Sequence, residues 1–461
     1  MSAIRTERDS LGDVAVPVDA LWGAQTQRAV DNFAISGQPM PEAFIRSLLQ
    51  IKAAAARTNV KLQQLSPVMG QAIVQACQQL RMHRQLMLHF PVDVFQTGSG
   101  TSTNMNANEV IANLAAKAPG LKDTLNANDH VNCGQSSNDV IPSCIQVSAS
   151  LELRNHLLPA LTHLAETIER KAATVDQCVK TGRTHLMDAM PVRMSQSLSA
   201  WAHQVRANIA NLEALEPQLH ALPQGGTAVG TGVNAHAQFA GIFTGELADL
   251  CGIAFVPASN CFAHIGAQDT AVALSGQLKT TAVTIMKIAN DLRWMNSGPL
   301  AGMGEITLPA LQPGSSIMPG KINPVIPEAA AMAAAQVIGN DATITVAGQS
   351  GNFELNVMLP VIAHNLLASL TLLSQASRAL ADKAIAGFSV NEKNLQQALA
   401  RNPVLVTALN PLIGYEKSAE IAKQAYRESR PVLDVAIENT DIEPAKLRRL
   451  LDPERLTRGG L

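Results

Sequence analysis

An apolar stripe between residues 145 and 180 most constrains the fold of this chain. Large and small apolar side chains recur there at steps of three or four, at Leu153, Leu157, Leu161, Leu164, Ile168, Ala172 and Val175. Side chains at that spacing share one face of an α-helix, so the stripe predicts a helix of about ten turns. So long a helix exceeds the usual globular length and needs other long helices to cover its apolar face.

Four further segments predict such helices. The second carries Leu198, Trp201, Val205, Ile209 and Leu212, and the others cover about residues 272–294, the alanine-rich stretch after Pro327, and about residues 354–384. Pro360 would be a kink or an early-turn residue of the last one. Aromatic residues are only 3% of the chain, and its abundant alanine, leucine and methionine favour helices. We therefore expect a mostly α fold built on a central bundle of long helices.

The pattern divides the chain into three predicted domains. Residues 1–138 combine short helices with polar loops, residues 139–387 form the long-helix bundle, and residues 388–461 form a small helical domain interrupted by prolines. Helices that are apolar on several sides must be buried, which predicts that chains associate through the bundle. The alternative is a monomeric bundle whose apolar stripe is wide.

Charge and cysteine content narrow the functional classes. Thirty-five basic and 37 acidic residues give a net charge of −2, which excludes a strongly basic nucleic-acid-binding surface. The six cysteines show no CxxC spacing, and the N-terminal segment, charged from Arg5 onward, lacks the apolar core of a signal peptide. No uncharged apolar stretch is expected to reach the length of a membrane span. These observations predict a cytoplasmic protein with free thiols and no membrane partner.

The segment GSSIMPGKINP, residues 314–324, superficially resembles a phosphate-binding P-loop. Five residues separate Gly314 from Gly320, where a P-loop has four before its Gly-Lys pair. Ile322 follows Lys321, and its side chain has no oxygen for a magnesium ion. The spacing therefore argues against a nucleotide site, and the segment needs another explanation.

Four polar segments interrupt the apolar chain, at residues 97–109, 126–139, 181–191 and 314–328. Clusters of Gly, Ser, Thr and Asn are usual in turns and helix caps, so each segment alone has a structural explanation. All four adjoin long helices, and they could converge at one end of a bundle. Their hydroxyls, amides, histidine and lysine suit a small anion such as a carboxylate. None has metal-ligand spacing, so we expect no metal and no cofactor, and residues 225–232 predict only a flexible turn.

The same segments resemble the fumarase/aspartase superfamily over essentially the whole chain, and its class II fumarases in particular. GSSIMPGKINP is similar to the signature loop, and LWGAQTQRAV, TGSGTSTNMNANEV, QSSNDV, GRTHLMDA, QGGTAVGTGVNA and GNFELNV are similar to class II fumarase segments in the same order. The resemblance implies a three-domain helical subunit and a homotetramer whose active sites are shared between subunits.

Two positions favour the fumarases within the superfamily. Thr184-His185 and Pro319-Gly320-Lys321 resemble the fumarase sequence, where aspartate ammonia-lyases have Thr-Gln and typically Pro-Ala-Lys. Residues 325–328, VIPE, are instead similar to the aspartase continuation. An aspartate ammonia-lyase therefore stays an alternative, as does a non-catalytic structural homologue.

The resemblance implies reversible anti addition of water to fumarate, giving L-malate through an aci-carboxylate intermediate. It implies that Ser315 is the base, and that His185, supported by Glu328, positions the water or exchanges a proton with it. The expected substrate-binding residues are Ser99, Gly100, Thr101, Ser136, Ser137, Asn138, Thr184, Ser316, Lys321, Ile322 and Asn323. A second anion site would lie at Asn126, Ala127, Asn128 and Asp129, where the family's histidine is replaced by Asn126.

Overall fold

The computed structural model describes residues 3–121, 124–314 and 316–459, and it is mostly helical, as expected from the sequence. The α-helices before residue 390 are α1 Ala24–Asn32, α2 Glu42–Lys61, α3 Pro67–Met82, α4 Thr101–Ala115, α5 Ser137–Glu152, α6 Leu158–Thr174, α7 Met194–Glu213, α8 Glu216–Leu219, α9 Phe239–Cys251, α10 Cys261–Gly266, α11 Asp269–Met295, α12 Val325–Gly348 and α13 Leu359–Leu380. The C-terminal helices are α14 Glu392–Arg401, α15 Asn410–Ile413, α16 Tyr415–Glu428, α17 Val432–Asn439, α18 Pro444–Leu450 and α19 Pro453–Leu456.

The strands are short and pair in twos. They are β1 Ile4–Asp9, β2 Gly12–Pro17, β3 Val179–Thr184, β4 Met187–Arg193, β5 Ala221–Leu222, β6 Val256–Pro257, β7 Ile306–Thr307, β8 Gly351–Asn352, β9 Leu355–Asn356 and β10 Ser389–Val390. The pairs are β1–β2, β3–β4, β5–β6, β7–β10 and β8–β9, and among them only β5–β6 is parallel.

The predicted long helices are confirmed, with different ends in two cases. The first begins earlier, at Ser137, continues through a π-helical stretch at Leu153–Leu157, and ends at Thr174, because residues 179–184 pair as β3 instead. The last begins at Leu359, not near residue 354, because the preceding residues form the β8–β9 hairpin. Pro360 lies in its first turn, where the missing N–H costs no helical hydrogen bond.

The described chain forms two compact units. Unit 1 contains residues 1–159, 210–282 and 335–374, and unit 2 contains residues 160–209, 283–334 and 375–461. Their boundaries fall inside long helices, so they cut the chain differently from the three domains expected at residues 1–138, 139–387 and 388–461. That three-domain division stays a prediction.

Unit 1 has its core around α2, which packs against α3, α5 and α9. Phe44, Leu48 and Ile51 of α2 are fully buried, and four consecutive alanines, residues 53–56, are buried after them. Alanine has a small side chain, so neighbouring helices can approach α2 closely there. Lys52 lies between these two groups and is also completely buried.

Unit 2 contains the β3–β4 hairpin and the C-terminal helices. Leu409, Val435 and Leu447 are fully buried at the centre of an apolar cluster formed by the helices after residue 403. The prolines that interrupt this region lie at or just before helix starts, as Pro444 and Pro453 do at α18 and α19. Proline is favoured there because its fixed φ suits the first helical turn.

One helical run corrects the expectation that no stretch reaches the length of a membrane span. Leu359–Ile385 is long and apolar enough by length and composition. However, 61% of its most apolar window is buried inside the protein, where Ile362, Leu366 and Leu370 belong to the core. A core helix has the same composition as a membrane span when its apolar side chains pack against other helices.

Candidate active site

The first part of the candidate site lies in unit 1, at the N-termini of α4 and α5. Each of these helices begins within one of the polar segments. Gly100 precedes α4 in the left-handed conformation, with a φ of 72°. The hydroxyls of Ser99 and Thr101 are hydrogen-bonded at 2.8 Å. Ser136 caps α5, its Oγ accepting from the Asn138 amide at 3.2 Å. The polar segments therefore form helix N-caps, as their composition predicts, and the candidate side chains lie at these caps.

A cavity of about 430 Å³ brings together four of the unit 1 candidates, while Ser99 and Gly100 do not line it. Thr101, Ser136, Ser137 and Asn138 line it, with Asn132, Gly134, Gln135, Thr227, Ala228, Val233 and Asn234. These lining side chains carry no formal charge, but the cavity lies at the N-termini of α4 and α5. Helix N-termini have partial positive charge and point N–H groups outward, so the cavity suits an anion such as a carboxylate.

The sequence did not identify the loop at residues 225–234 as part of this cavity. The structure shows a specific turn there, tied to α5: the amides of Gly225 and Thr227 both donate to Asp139 Oδ2 at 2.9 Å. Asn138 Nδ2 donates to the Ala228 carbonyl at 2.7 Å. Gly225 has a φ of 103°, a backbone conformation that favours glycine. The glycine was therefore the sequence signal for a fixed turn.

The second part of the candidate site lies in unit 2, in a cavity of about 720 Å³. Lys321, Ile322, Asn323 and Glu328 line it, so four predicted residues meet there. Lys321 is exposed, and within the described residues its ammonium group makes no ion pair. Glu328 lies in the first turn of α12, where a carboxylate is favoured by the helix dipole. Arg293, Trp294 and Asn391 also line the cavity and were not predicted.

The signature loop folds back closely on itself. Asn323 Nδ2 donates to the Gly314 carbonyl at 3.4 Å. A Cβ at Gly314 would lie 1.7 Å from the Lys321 carbonyl oxygen, so only glycine fits. Gly320 has a φ of 85°, which also favours glycine. Ser315, the predicted base, lies outside the described residues, and Ser316 is exposed.

The close approach at Gly314 makes a test of the loop. In Gly314→Ala, the new Cβ must displace the backbone of Lys321, and a misplacement of about 1 Å in a reacting site can cost about 100-fold. We therefore expect kcat/KM to fall by about two orders of magnitude while circular dichroism stays that of the parent. Gly245→Ala in α9 is the matched control, because its Cβ would meet nothing within 4 Å. Equal kcat/KM in the two variants would contradict this role of the loop.

Thr184 and His185 lie at the tip of the β3–β4 hairpin in unit 2. Thr184 pairs with Met187, so His185 and Leu186 are the two turn residues, with φ values of 56° and 62°. Two consecutive left-handed residues are typical of a tight type I′ hairpin turn. His185 is exposed, and no hydrogen bond or ion pair joins it to Glu328 within the described part of one chain.

A buried carboxylate anchors this hairpin. Glu305 is 3% exposed, and its two oxygens accept from Lys180 Nζ and an Arg183 guanidinium nitrogen, each at 2.5 Å. Both cations belong to β3, so the ion pairs fix the strand that ends at Thr184. Charge-assisted hydrogen bonds of this kind are short and strong, and they hold the tip of the hairpin in one direction.

The segment Asn126–Asp129 forms a π-helical turn with its own cap. Asn126 Oδ1 accepts from the amides of Asn128 and Asp129, at 2.7 and 3.1 Å, and the Asn126 amide donates to His130 Nδ1 at 2.8 Å. The backbone N–H groups of Asn126, Asn128 and Asp129 are therefore already bonded within the segment. The second anion site stays a prediction, and these bonds count against it.

Comparison with known proteins defines the class of the chain. Residues 12–339 match the lyase family model, and residues 405–458 match the model of the fumarase C C-terminus. A solved structure of a class II fumarase from Schistosoma mansoni superposes with a TM-score of 0.95 at 36% sequence identity, and the match covers 99% of both chains. Fold and sequence thus define a lyase with a fumarase C-type C-terminal region.

Relatives of similar length narrow the class further. The chain is 68% identical over 461 residues, 100% of both chains, to fumarate hydratase class II 2 of Pseudomonas aeruginosa. It is 57% identical over 457 residues to fumarate hydratase class II of Xylella fastidiosa, covering 99% of this chain and 96% of that relative. The chain belongs to the class II fumarate hydratase family.

Proposed function

We propose that this protein is a fumarate hydratase, which adds water reversibly to fumarate and gives L-malate. The observation that carries this function is the 68% identity with a fumarate hydratase along the entire chain. The two cavities agree with it chemically, because one offers uncharged donors at two helix N-termini and the other offers an exposed ammonium group. Both sets of groups suit the carboxylates of a small dianion.

The chemical difficulty lies in the charge of the intermediate. When malate loses water, a proton leaves the carbon beside a carboxylate, and the electrons move into that carboxylate as an aci-carboxylate. Donors aimed at this developing charge lower the barrier more than donors that bind the substrate equally well. Lys321 Nζ, the Asn323 side chain and the hydroxyl of Ser316 hold this carboxylate, and the N-terminal end of α12 adds to the positive field.

The remaining polar groups orient the substrate and exclude other geometries. The hydroxyls of Ser99, Thr101, Ser136 and Ser137 and the amide of Asn138 bind the second carboxylate, with Gly100 allowing close approach to α4. Ile322 contributes an apolar wall, and Thr184 contacts the substrate from the hairpin. Fixing both carboxylates holds the reacting carbons beside the base and the water, which supplies part of the rate enhancement.

Ser315 takes the carbon-bound proton, and His185 handles the water on the opposite face of the double bond. A serine hydroxyl is a poor base unless nearby donors stabilise its oxyanion, and Lys321 with the backbone around Gly314 can do so. A Glu328 carboxylate beside the imidazole would fix its tautomer and its orientation. Since one chain has no His185–Glu328 bond, this support would come from Glu328 of another subunit.

The protein works as a homotetramer in which each active site takes residues from several subunits. Apolar side chains exposed on two long helices support association: Val283 of α11 is 56% exposed, and Met332 and Val346 of α12 are 68% and 55% exposed. Long helices with apolar residues on their outer faces are covered in a stable protein, and further copies of the chain would cover them. Sedimentation equilibrium should give about four times the mass of one chain.

The cytoplasm is the proposed location. All six cysteines have free thiols, at Cys77, Cys133, Cys144, Cys178, Cys251 and Cys261. Burial raises the pKa of Cys77 and Cys251 to about 12, so these thiols stay protonated and unreactive at neutral pH. A reducing compartment keeps such thiols free.

An ultraviolet assay of the purified protein tests the function. We expect fumarate absorbance to fall on addition of the protein without any ammonia being consumed, and to rise when L-malate is supplied instead. Aspartate is tested as the alternative substrate. Ammonia release from aspartate with no hydration of fumarate would assign an ammonia-lyase. No reaction with either substrate would favour a non-catalytic homologue.

A further inference from the structure

A buried lysine lies behind the cavity of unit 1. Lys52 of α2 is 0% exposed, yet its ammonium nitrogen donates to Asn132 Oδ1 at 3.0 Å and to Gln135 Oε1 at 3.1 Å. Asn132 and Gln135 both line the cavity. Burying an ammonium group is costly unless it is paired and hydrogen-bonded, so a hydrophobic side chain would serve packing better at this position.

The contacts of Lys52 continue to the predicted substrate-binding residues. Asn132 Oδ1 also accepts from Asn104 Nδ2 at 3.2 Å, and the same Asn104 nitrogen donates to Ser137 Oγ at 3.0 Å. Asn132 Nδ2 donates to the Gln135 carbonyl at 3.1 Å, which closes the turn before Ser136. A chain of hydrogen bonds therefore joins Lys52 to the hydroxyl of Ser137.

Asp139 is the counter-charge of this network. It is 0% exposed, and its carboxylate accepts from the amides of Ser136, Gly225 and Thr227, each at 2.9 Å. These bonds join the start of α5 to the loop that forms the other wall of the cavity. Lys52 and Asp139 thus fix two walls of one cavity from behind, without lining it.

Lys52 and Asp139 both change charge near neutral pH. Burial lowers the pKa of Lys52 to about 7, against the favourable charge of Asp139, and burial raises the pKa of Asp139 to about 6. Two thiols also face Lys52, those of Cys77 and Cys144, and burial raises the pKa of both, so neither is charged there. Asp139 is therefore the anion that Lys52 meets, and both groups are ionised between about pH 6 and pH 7.

We propose that Lys52 is a positioning residue for substrate binding, which holds Asn132, Gln135 and Ser137 in the geometry that receives a carboxylate and places a positive charge behind them. This inference rests on the proposed function, because Ser136, Ser137 and Asn138 are taken as substrate-binding residues. The charge acts at short range in a buried setting, where it is screened little. Substrate affinity then falls as pH rises through about 7 and Lys52 loses its proton.

The test replaces Lys52 by methionine, which has similar volume but no charge and no N–H. Loss of two bonds from a charged donor predicts a KM for fumarate at least about tenfold higher, with kcat changed much less. The variant should also lose the rise in KM that the parent shows above about pH 7. Lys279→Met is the matched control: it removes a lysine paired with Asp341 at 2.6 Å, in the same unit and away from this cavity. Its KM and pH dependence should be those of the parent.

Three outcomes would overturn the proposal: an unchanged KM, a pH dependence of KM that survives in Lys52→Met, or equal effects of Lys52→Met and Lys279→Met. If Lys52→Met does not fold, Asn104→Ala decides the question, because it breaks the link to Ser137 and leaves both Lys52 acceptors in place. Asn104→Ala should raise KM and keep its pH dependence, and an unchanged KM would reject the proposal. Fumarate hydration by the parent protein is measured first, so failure of the proposed function is recognised separately.

Discussion

Ser315→Ala is expected to lower kcat for malate dehydration by about two to four orders of magnitude, the range in which a positioned base contributes to proton transfer. Alanine cannot accept the carbon-bound proton, and no other hydroxyl replaces it if Ser316 holds the carboxylate. The KM should change little, since the proposed substrate-binding groups, Lys321 and Asn323 among them, are kept. Steady-state kinetics in both directions, followed by fumarate absorbance, measures the effect.

A proton-exchange measurement makes this experiment specific. In the parent protein, malate should exchange its C3 proton with deuterated solvent during turnover, and Ser315→Ala should lose that exchange in proportion to kcat. Ser199→Ala is the control, because Ser199 is exposed on α7 and its hydroxyl donates to the carbonyl of Gln196 in the preceding turn, at 2.9 Å. Retained exchange and turnover in Ser315→Ala would move the base to another residue.

The helical scaffold could be predicted from the sequence because apolar residues spaced three or four apart directly indicate the buried face of a helix. The apolar stripe at Leu198–Leu212 has the spacing of a helix face and lies in α7, and α11 and α12 cover the other two segments where long helices were predicted. Their ends were less predictable. The first helix was expected to extend to about residue 180, but residues 179–184 pair with β4, because backbone partners distant in sequence decide a strand and local propensity does not.

The candidate site was only partly visible in the sequence. Short polar segments marked Ser136 and Lys321 as candidates, because small polar residues in an apolar chain need an explanation. The sequence predicts only a flexible turn at residues 225–232, because the fixed conformation depends on two amides that bond the buried Asp139, 86 residues or more away in the chain. The sequence did not predict that Lys52 is buried behind the cavity, because a lysine in a helical pattern normally lies in solvent.

His185→Asn is the second variant with a large expected effect, and it should leave the backbone of the hairpin unchanged. His185 has a φ of 56°, and asparagine tolerates the left-handed conformation better than most residues, so the backbone of the turn should be kept. Asparagine cannot exchange a proton with the water, so we expect kcat to fall by about 100-fold or more. Leu186→Asn is the matched control, since Leu186 is the other exposed turn residue, with a φ of 62°. A kcat in His185→Asn equal to that of Leu186→Asn would assign the water-handling step to a different side chain.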